Sequence, residues 1–218
     1  MVILLRPEQR EKLDPNDDGN FYDYPRLVTH VDDGFIDQLT ELYRQRLQPG
    51  TRILDLMSSW VSHLPEEMAF SHVEGHGMNE VELSKNPRLD RYFVQDLNTE
   101  PKLPLLDEGF DAVLCTVSVQ YLQYPEAVFS EIYRILKPQG LCMISFSNRM
   151  FYQKAIAAWR DGSEGDRVNL VRSYFMGIPR FSTPEVIAQP GQVRSPLLRM
   201  MGMGMADPFY AVISRRML

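Results

Sequence analysis

The first apolar periodicity along the chain starts at Asp32. Phe35, Ile36, Leu39, Leu42, Tyr43 and Leu47 recur at the three-and-four spacing of one helical face, Asp32 and Asp33 suit its N-terminus, and Pro49-Gly50 ends it. Five short apolar runs follow, at 51–56, 71–77, 91–96, 110–117 and 140–146. The last two are apolar almost throughout, as strands covered on both faces should be. Between them, Val128, Phe129, Ile132, Tyr133, Ile135 and Leu136 share a helical face, with Pro125 and Glu126 in the first turn and Pro138 as the stop. After the first run, Ser62 reads as an N-cap, with Pro65, Glu66 and Glu67 in the opening turn of another helix. Farther on, the pattern predicts helices around 151–159 and 166–176. A closing antiparallel strand pair then follows at 184–189 and 209–216, with a long insertion.

Strands alternating with helices imply right-handed crossovers in a sheet covered on both faces. The predicted architecture is a doubly wound, Rossmann-like α/β fold of seven strands, mostly parallel with an antiparallel C-terminal strand. Residues 1–31 are polar, with prolines and aromatics, and resist assignment; they are expected to form an arm or lid on a single domain spanning 32–218. In such sheets a ligand lies beyond the carboxyl ends of the strands, near the switch in strand order. The residues just after each strand are therefore the ones that matter.

Composition narrows the partners. A formal net charge of −6 gives no general attraction for a phosphate backbone, and no segment concentrates Lys and Arg with interleaved aromatics, so nucleic acid is not an expected partner. No run approaches the length of a membrane span, and the chain is expected to be soluble and cytoplasmic. Cys115 and Cys142 each sit inside an apolar run, where a thiol is a small buried hydrophobe, so no disulfide framework or metal site is indicated.

The stretch LPLLDEGFDAVLCTVSVQYLQYPEAVFSEIYRILKPQGLCMISF, residues 103–146, resembles the fourth strand, following helix and fifth strand of class I S-adenosylmethionine-dependent methyltransferases. Its Leu-Lys-Pro-Gln-Gly stop at 136–140 is similar to the usual Leu-Lys-Pro-Gly-Gly, and the resemblance extends over roughly Arg52 to Asn148. Asp55 matches the acid that ends the family's first strand, but Met57, Ser59 and Val61 stand where the following loop has glycines. Gly77 stands where the family has the acid that holds the ribose.

The resemblance implies S-adenosylmethionine as the cofactor and a small-molecule acceptor. It places the amino-acid end of the cofactor near Asp55, Met57, Ser58 and Ser59, with the two serines equally readable as caps of the next segment. Asn79 or His76 would face the ribose, and Met78 would pack on the adenine. Asp96 and the Leu97 amide would meet the adenine edge, while Thr116 and Val117 face the bound cofactor. A glycine cradle serves a pyrophosphate at a helix N-terminus, and S-adenosylmethionine has none, so its loss counts more heavily against a dinucleotide. Trp60 reads as a packing anchor or a substrate-stacking ring, and the methionine-rich stretch at 199–208 as a mobile loop or an adaptable lining.

No catalytic residue is assigned, since methyl transfer needs a general base only if the acceptor must lose a proton early. His63, Ser118, Tyr121 and Asn148 stand near the expected mouth, with Tyr22 and Tyr24 joining them if the arm closes. His30 and His72 carry no site argument, and Arg149, Lys154 and Arg160 read first as a solvated helix face. Three functions are weighed. The leading one is a small-molecule methyltransferase. The second is a methyltransferase-like binding protein that has lost turnover, and the third a nicotinamide dehydrogenase, which lacks its Gly-x-Gly-x-x-Gly turn.

Overall fold

The structure, a computed structural model, describes residues 3–191 and 206–218; positions 199–205 of the methionine-rich stretch lie outside the described residues. In chain order the elements are a 3-10 turn Pro7–Arg10, α1 Asp18–Tyr22, α2 Asp33–Arg46, β1 Arg52–Asp55, β2 His72–Gly77, α3 Glu80–Ser84 and β3 Arg91–Val94. They continue with β4 Phe110–Thr116, a 3-10 turn Val119–Tyr121, α4 Pro125–Ile135, β5 Leu136–Phe146, α5 Ala157–Arg160, α6 Glu164–Met176, β6 Glu185–Gln189 and β7 Phe209–Arg215. The strands form one sheet in the order β3-β2-β1-β4-β5-β7-β6. The first five strands pair in parallel, and β7 joins β5 and β6 antiparallel.

Alternation along the central strands sorts their side chains between two cores. Leu54, Val113, Cys115, Cys142, Ile144 and Val212 share a core with Val128, Phe129 and Ile132 of α4 and with Tyr174 and Phe175 of α6. Ile53, Ala112, Leu114, Leu141 and Met143 pack with Phe35, Leu39, Leu42 and Tyr43 of α2. This is why 112–115 of β4 and 141–144 of β5 read as unbroken apolar runs: each successive residue there enters one core or the other. Full burial of each large side chain contributes about 1.5–3 kcal/mol. Both cysteines are free and buried. Asp32 N-caps α2 by accepting from the Phe35 amide at 2.9 Å, as its position before the apolar stripe predicts.

Three local expectations fail. No helix follows β1; residues 56–71 form an irregular segment with turns at 56–57 and 66–67, the second closed by Met68 N donating to Pro65 O at 3.2 Å. Ser62 is buried and accepts from Asn86 Nδ2 at 2.8 Å, so tertiary bonding takes the hydroxyl expected to cap that helix. The helix expected over 151–159 shrinks to Ala157–Arg160. Upstream, Phe151 N donates to Tyr121 Oη, Ile156 N to Gln120 O and Ala157 N to Glu11 O, so distant partners replace the helical ladder. Finally, α4 ends at Ile135 before Pro138, and β5 starts directly at Leu136 through pairing with Phe110, with a register irregularity before Ala112.

Candidate cofactor and acceptor site

The order in which strands are added to the sheet reverses between β1 and the parallel β4: β2 and β3 lie on one side of β1, and β4, β5, β7 and β6 on the other. The carboxyl ends of these two strands frame the site, as the switch-point rule requires. The β1 loop turns at Met57, whose φ of 58° lies in the left-handed region that favours glycine. It then clamps onto β2, with Met57 N donating to His76 Nδ1 at 3.1 Å and Ser58 N to His76 O at 2.6 Å. Because Nδ1 accepts, the ring proton sits on Nε2 and is donated to Gln95 O at 3.0 Å. Burial drives the imidazole's pKa down to about 4, so His76 is a neutral tie between loop, β2 and the end of β3, with neither nitrogen left for a ribose.

Asp55 is buried at the end of β1 and accepts from Ser58 Oγ at 2.5 Å. Burial pushes its carboxyl up to about 6 against the opposing pull of the Ser58 and Ser62 hydroxyls. Across the site, Val117 after β4 also takes a positive φ, 50°, an unusual value for a β-branched residue. Ser118 Oγ lies 2.8 Å from Thr116 O and 3.1 Å from Met57 O, so its single proton is shared between the two strand ends. Thr116 Oγ1 lies 2.8 Å from Tyr43 Oη, and burial pushes that phenol's pKa up.

The N-terminal segment packs over these strand ends. Asn79 caps α3 by accepting from Glu82 N at 3.0 Å, and its amide donates to Tyr22 O at 2.7 Å and Asp23 O at 3.0 Å. Arg26 N and Ser59 Oγ each donate to Glu82 at 2.6 Å, and Trp60 Nε1 donates to Val28 O at 3.1 Å. Lys154 is fully buried and pairs with Asp14 at 3.0 Å and Asp18 at 3.2 Å, which corrects its reading as a solvated cation. Asp18 also pairs with Lys12 and accepts from Asn98 Nδ2 at 3.0 Å. Phe151 collects the rings of Phe21, Tyr22, His30 and Tyr121 at centroid distances of 5.1, 6.4, 5.1 and 6.0 Å.

Two adjoining cavities result. The first, an open cleft, is lined by Met57, Ser58, Ser59, Met78, Asn79, Asp96, Leu97 and Val117 among the sequence-predicted residues. The second takes Asp55 and Thr116 and shares Met57, Ser58, Ser59 and Val117 with the first. The ten residues singled out for the cofactor thus line one continuous region. Among the candidates for the mouth, Tyr22 and Tyr121 line the first cavity, His63 the second and Ser118 both, whereas Tyr24 and Asn148 are exposed and line neither. Burial lowers the His63 pKa. Arg149 and Arg160 pair with Asp207 and Asp161.

Sequence reasoning missed Asp18, Arg26, His30, Glu82 and Phe151 as cleft residues. His30, dismissed on sequence, lines both cavities, and burial lowers its pKa. Four of the five lie on segments without apolar periodicity or in a helix predicted elsewhere. Only Glu82, at the third position of α3 three residues after the Asn79 cap, left a local signal.

Residues 76–144 match the family model described as a methyltransferase domain. Over 67 residues the chain is 37% identical to the biotin biosynthesis bifunctional protein BioHC of Teredinibacter turnerae, a match spanning 31% of this chain and 12% of that relative. Among solved structures, the [4+2]-cyclase SpnF superposes with a TM-score of 0.58 at 17% identity, covering 84% of this chain and 81% of that one. Phosphoethanolamine N-methyltransferase 2 of Haemonchus contortus, solved in complex with S-adenosyl-L-methionine, superposes with a TM-score of 0.58 at 15% identity, covering 86% of this chain and 54% of that one.

Proposed function

Starting from a chain with the class I S-adenosylmethionine-dependent methyltransferase fold, we propose that it binds S-adenosylmethionine across the two cavities and methylates a small-molecule acceptor. The observation that carries this reading is the convergence of all ten predicted cofactor residues on one region at the carboxyl ends of β1 to β4. The donor set suits the cofactor. Asp18, Glu82 and Asp96 line the first cleft together with Arg26, and since Asp18 is paired with Lys12 and Lys154, Glu82 and Asp96 are the carboxylates left to face a sulfonium cation.

In this reading Asp96 and Leu97 hold the adenine edge, Met78 packs on its face, and Asp55, Ser58 and Ser59 receive the amino and carboxylate groups. Bound there, the cofactor supplies an electrophilic methyl group. The chain's own contribution is positioning and exclusion of water, for which the aromatic cluster of Tyr22, Tyr121 and Phe151 is suited. The N-terminal segment packed over the cleft favours an acceptor small enough to enter beneath it.

Titration calorimetry with S-adenosylhomocysteine tests the reading directly. Saturable binding, weakened by Asp96→Ala, is expected; no heat at millimolar ligand would overturn it. A second reading, binding without methyl transfer, is favoured by the clamped β1 loop. Consumption of S-adenosylmethionine with any acceptor from a small-molecule panel excludes it.

A further inference from the structure

Gly77 ends β2 where the resemblance places a ribose-holding acid. A Cβ on Gly77 would stand 2.6 Å from Ser58 O and 3.1 Å from Leu83 Cδ2, so the clamped β1 loop leaves no room for a side chain there. Any carboxylate for a ribose must come from another position.

The neighbouring polar groups are already committed. Both nitrogens of His76 are bonded, the Asn79 amide holds Tyr22 O and Asp23 O, and Asp18 is shared among Lys12, Lys154 and Asn98. Glu82 differs. It lines the same cleft as Gly77 and Met78, and its helix is fixed by the bond from Glu82 N to Asn79 Oδ1. Among the described residues its Oε1 accepts from Arg26 N and its Oε2 from Ser59 Oγ, one donor each at 2.6 Å, which leaves each oxygen a second acceptor site. Two adjacent oxygens, each with a spare acceptor site, match two adjacent hydroxyls.

Resting on the cofactor reading above, we infer that Glu82 is the carboxylate that accepts hydrogen bonds from the vicinal hydroxyls of a ribose bound in the first cleft. The acid has moved from the end of the strand to the first turn of the following helix. The same carboxylate then ties the N-terminal segment, the β1 loop and the nucleoside together.

The test compares S-adenosylhomocysteine with its 2′,3′-dideoxy counterpart by calorimetry on the wild-type chain, Glu82→Gln and Glu82→Ala. The wild type should prefer the ribo ligand by about tenfold or more, as hydrogen bonds to a charged acceptor imply. Both variants should lose about tenfold in affinity for S-adenosylhomocysteine and bind the two ligands nearly equally. Because the preference is a ratio within one protein, partial destabilisation cancels, and Glu82→Gln preserves the shape if Glu82→Ala folds poorly. A preference that survives in the variants, or an equal weakening of both ligands, overturns the inference and leaves Glu82 as a clasp for Arg26 and Ser59. Absence of any S-adenosylhomocysteine binding by the wild type overturns the cofactor reading and this inference with it.

Discussion

The two halves of the site frame keep different parts of the family pattern. Residues 103–146, carrying β4, α4 and β5, hold the stretch that resembles the family pattern, and β4 and α4 lie where the apolar spacing puts them while β5 starts early, at Leu136. The half at 52–82, carrying β1, β2 and α3, has the strands but lacks the glycines and the strand-end acid of the pattern it resembles. The backbone demand nevertheless persists in both halves. Met57 and Gln139, at positions where the family has glycine, take φ values of 58° and 67°. Glycine in such motifs therefore serves a conformation, which another residue can adopt at a cost of about 1–2 kcal/mol. What a substitution cannot preserve is space: the clamp that replaces the cradle brings Ser58 O against Gly77.

The largest effect that sharpens this contrast is electrostatic. The Asp55 carboxyl, ordinarily at 3.8, is raised to about 6 by burial, so the folded state binds its proton more tightly than the unfolded state does. The resulting stability is complete below pH 4 and is lost as pH rises through 6, leaving a buried charge that costs about 3 kcal/mol at pH 7. Asp55→Asn should remove that loss. In urea unfolding at pH 4.5 and 7.5 the variant should hold its stability while the wild type falls; parallel behaviour would show that Asp55 is not strained by burial.

Next comes steric conflict in the same half. Gly77→Ala places a methyl group against Ser58 O, a backbone atom held by the bond from Ser58 N to His76 O. A loss of about 2 kcal/mol is expected from overpacking. An unchanged urea midpoint would mean that the clamp yields, and that the family acid could be accommodated after all.

The smallest effect belongs to the conforming half. Gln139 is exposed, and its left-handed backbone is held by Gln139 N donating to Arg216 O at 2.8 Å. Gln139→Gly should raise stability by about 1 kcal/mol, visible as a higher thermal midpoint. A lower midpoint would show that the Gln side chain or the unfolded-chain entropy outweighs the relief.

Legibility followed the source of each element's stability. Helices and strands that bury a regular stripe, such as α2, α4, β4 and β5, were readable because period and burial coincide. Segment 56–71 was misread as helical because Ser62, Pro65 and the glutamates give a helix-start signal locally, while Asn86 and Asp55 take the Ser62 hydroxyl. Residues 151–156 failed similarly: the amides of Phe151 and Ile156 go to Tyr121 and Gln120, and those of Lys154 and Ala155 make a single local turn onto Phe151 O. Lys154 looked solvated on a helix face; its burial depends on Asp14 and Asp18, more than a hundred positions away.

By itself the sequence determined the succession of strands and the two-sided burial of the central pair, because both rest on local periodicity, and from the strand succession it named the ends of β1, β3 and β4 as the place to look for a ligand site. Only the tertiary structure decided that the β1 loop folds onto His76, that the N-terminal segment roofs the cleft, and that Glu82 rather than a residue at the end of β2 offers a carboxylate beside it. Those contacts join residues far apart in the chain, and their energies come from partners that no local window contains.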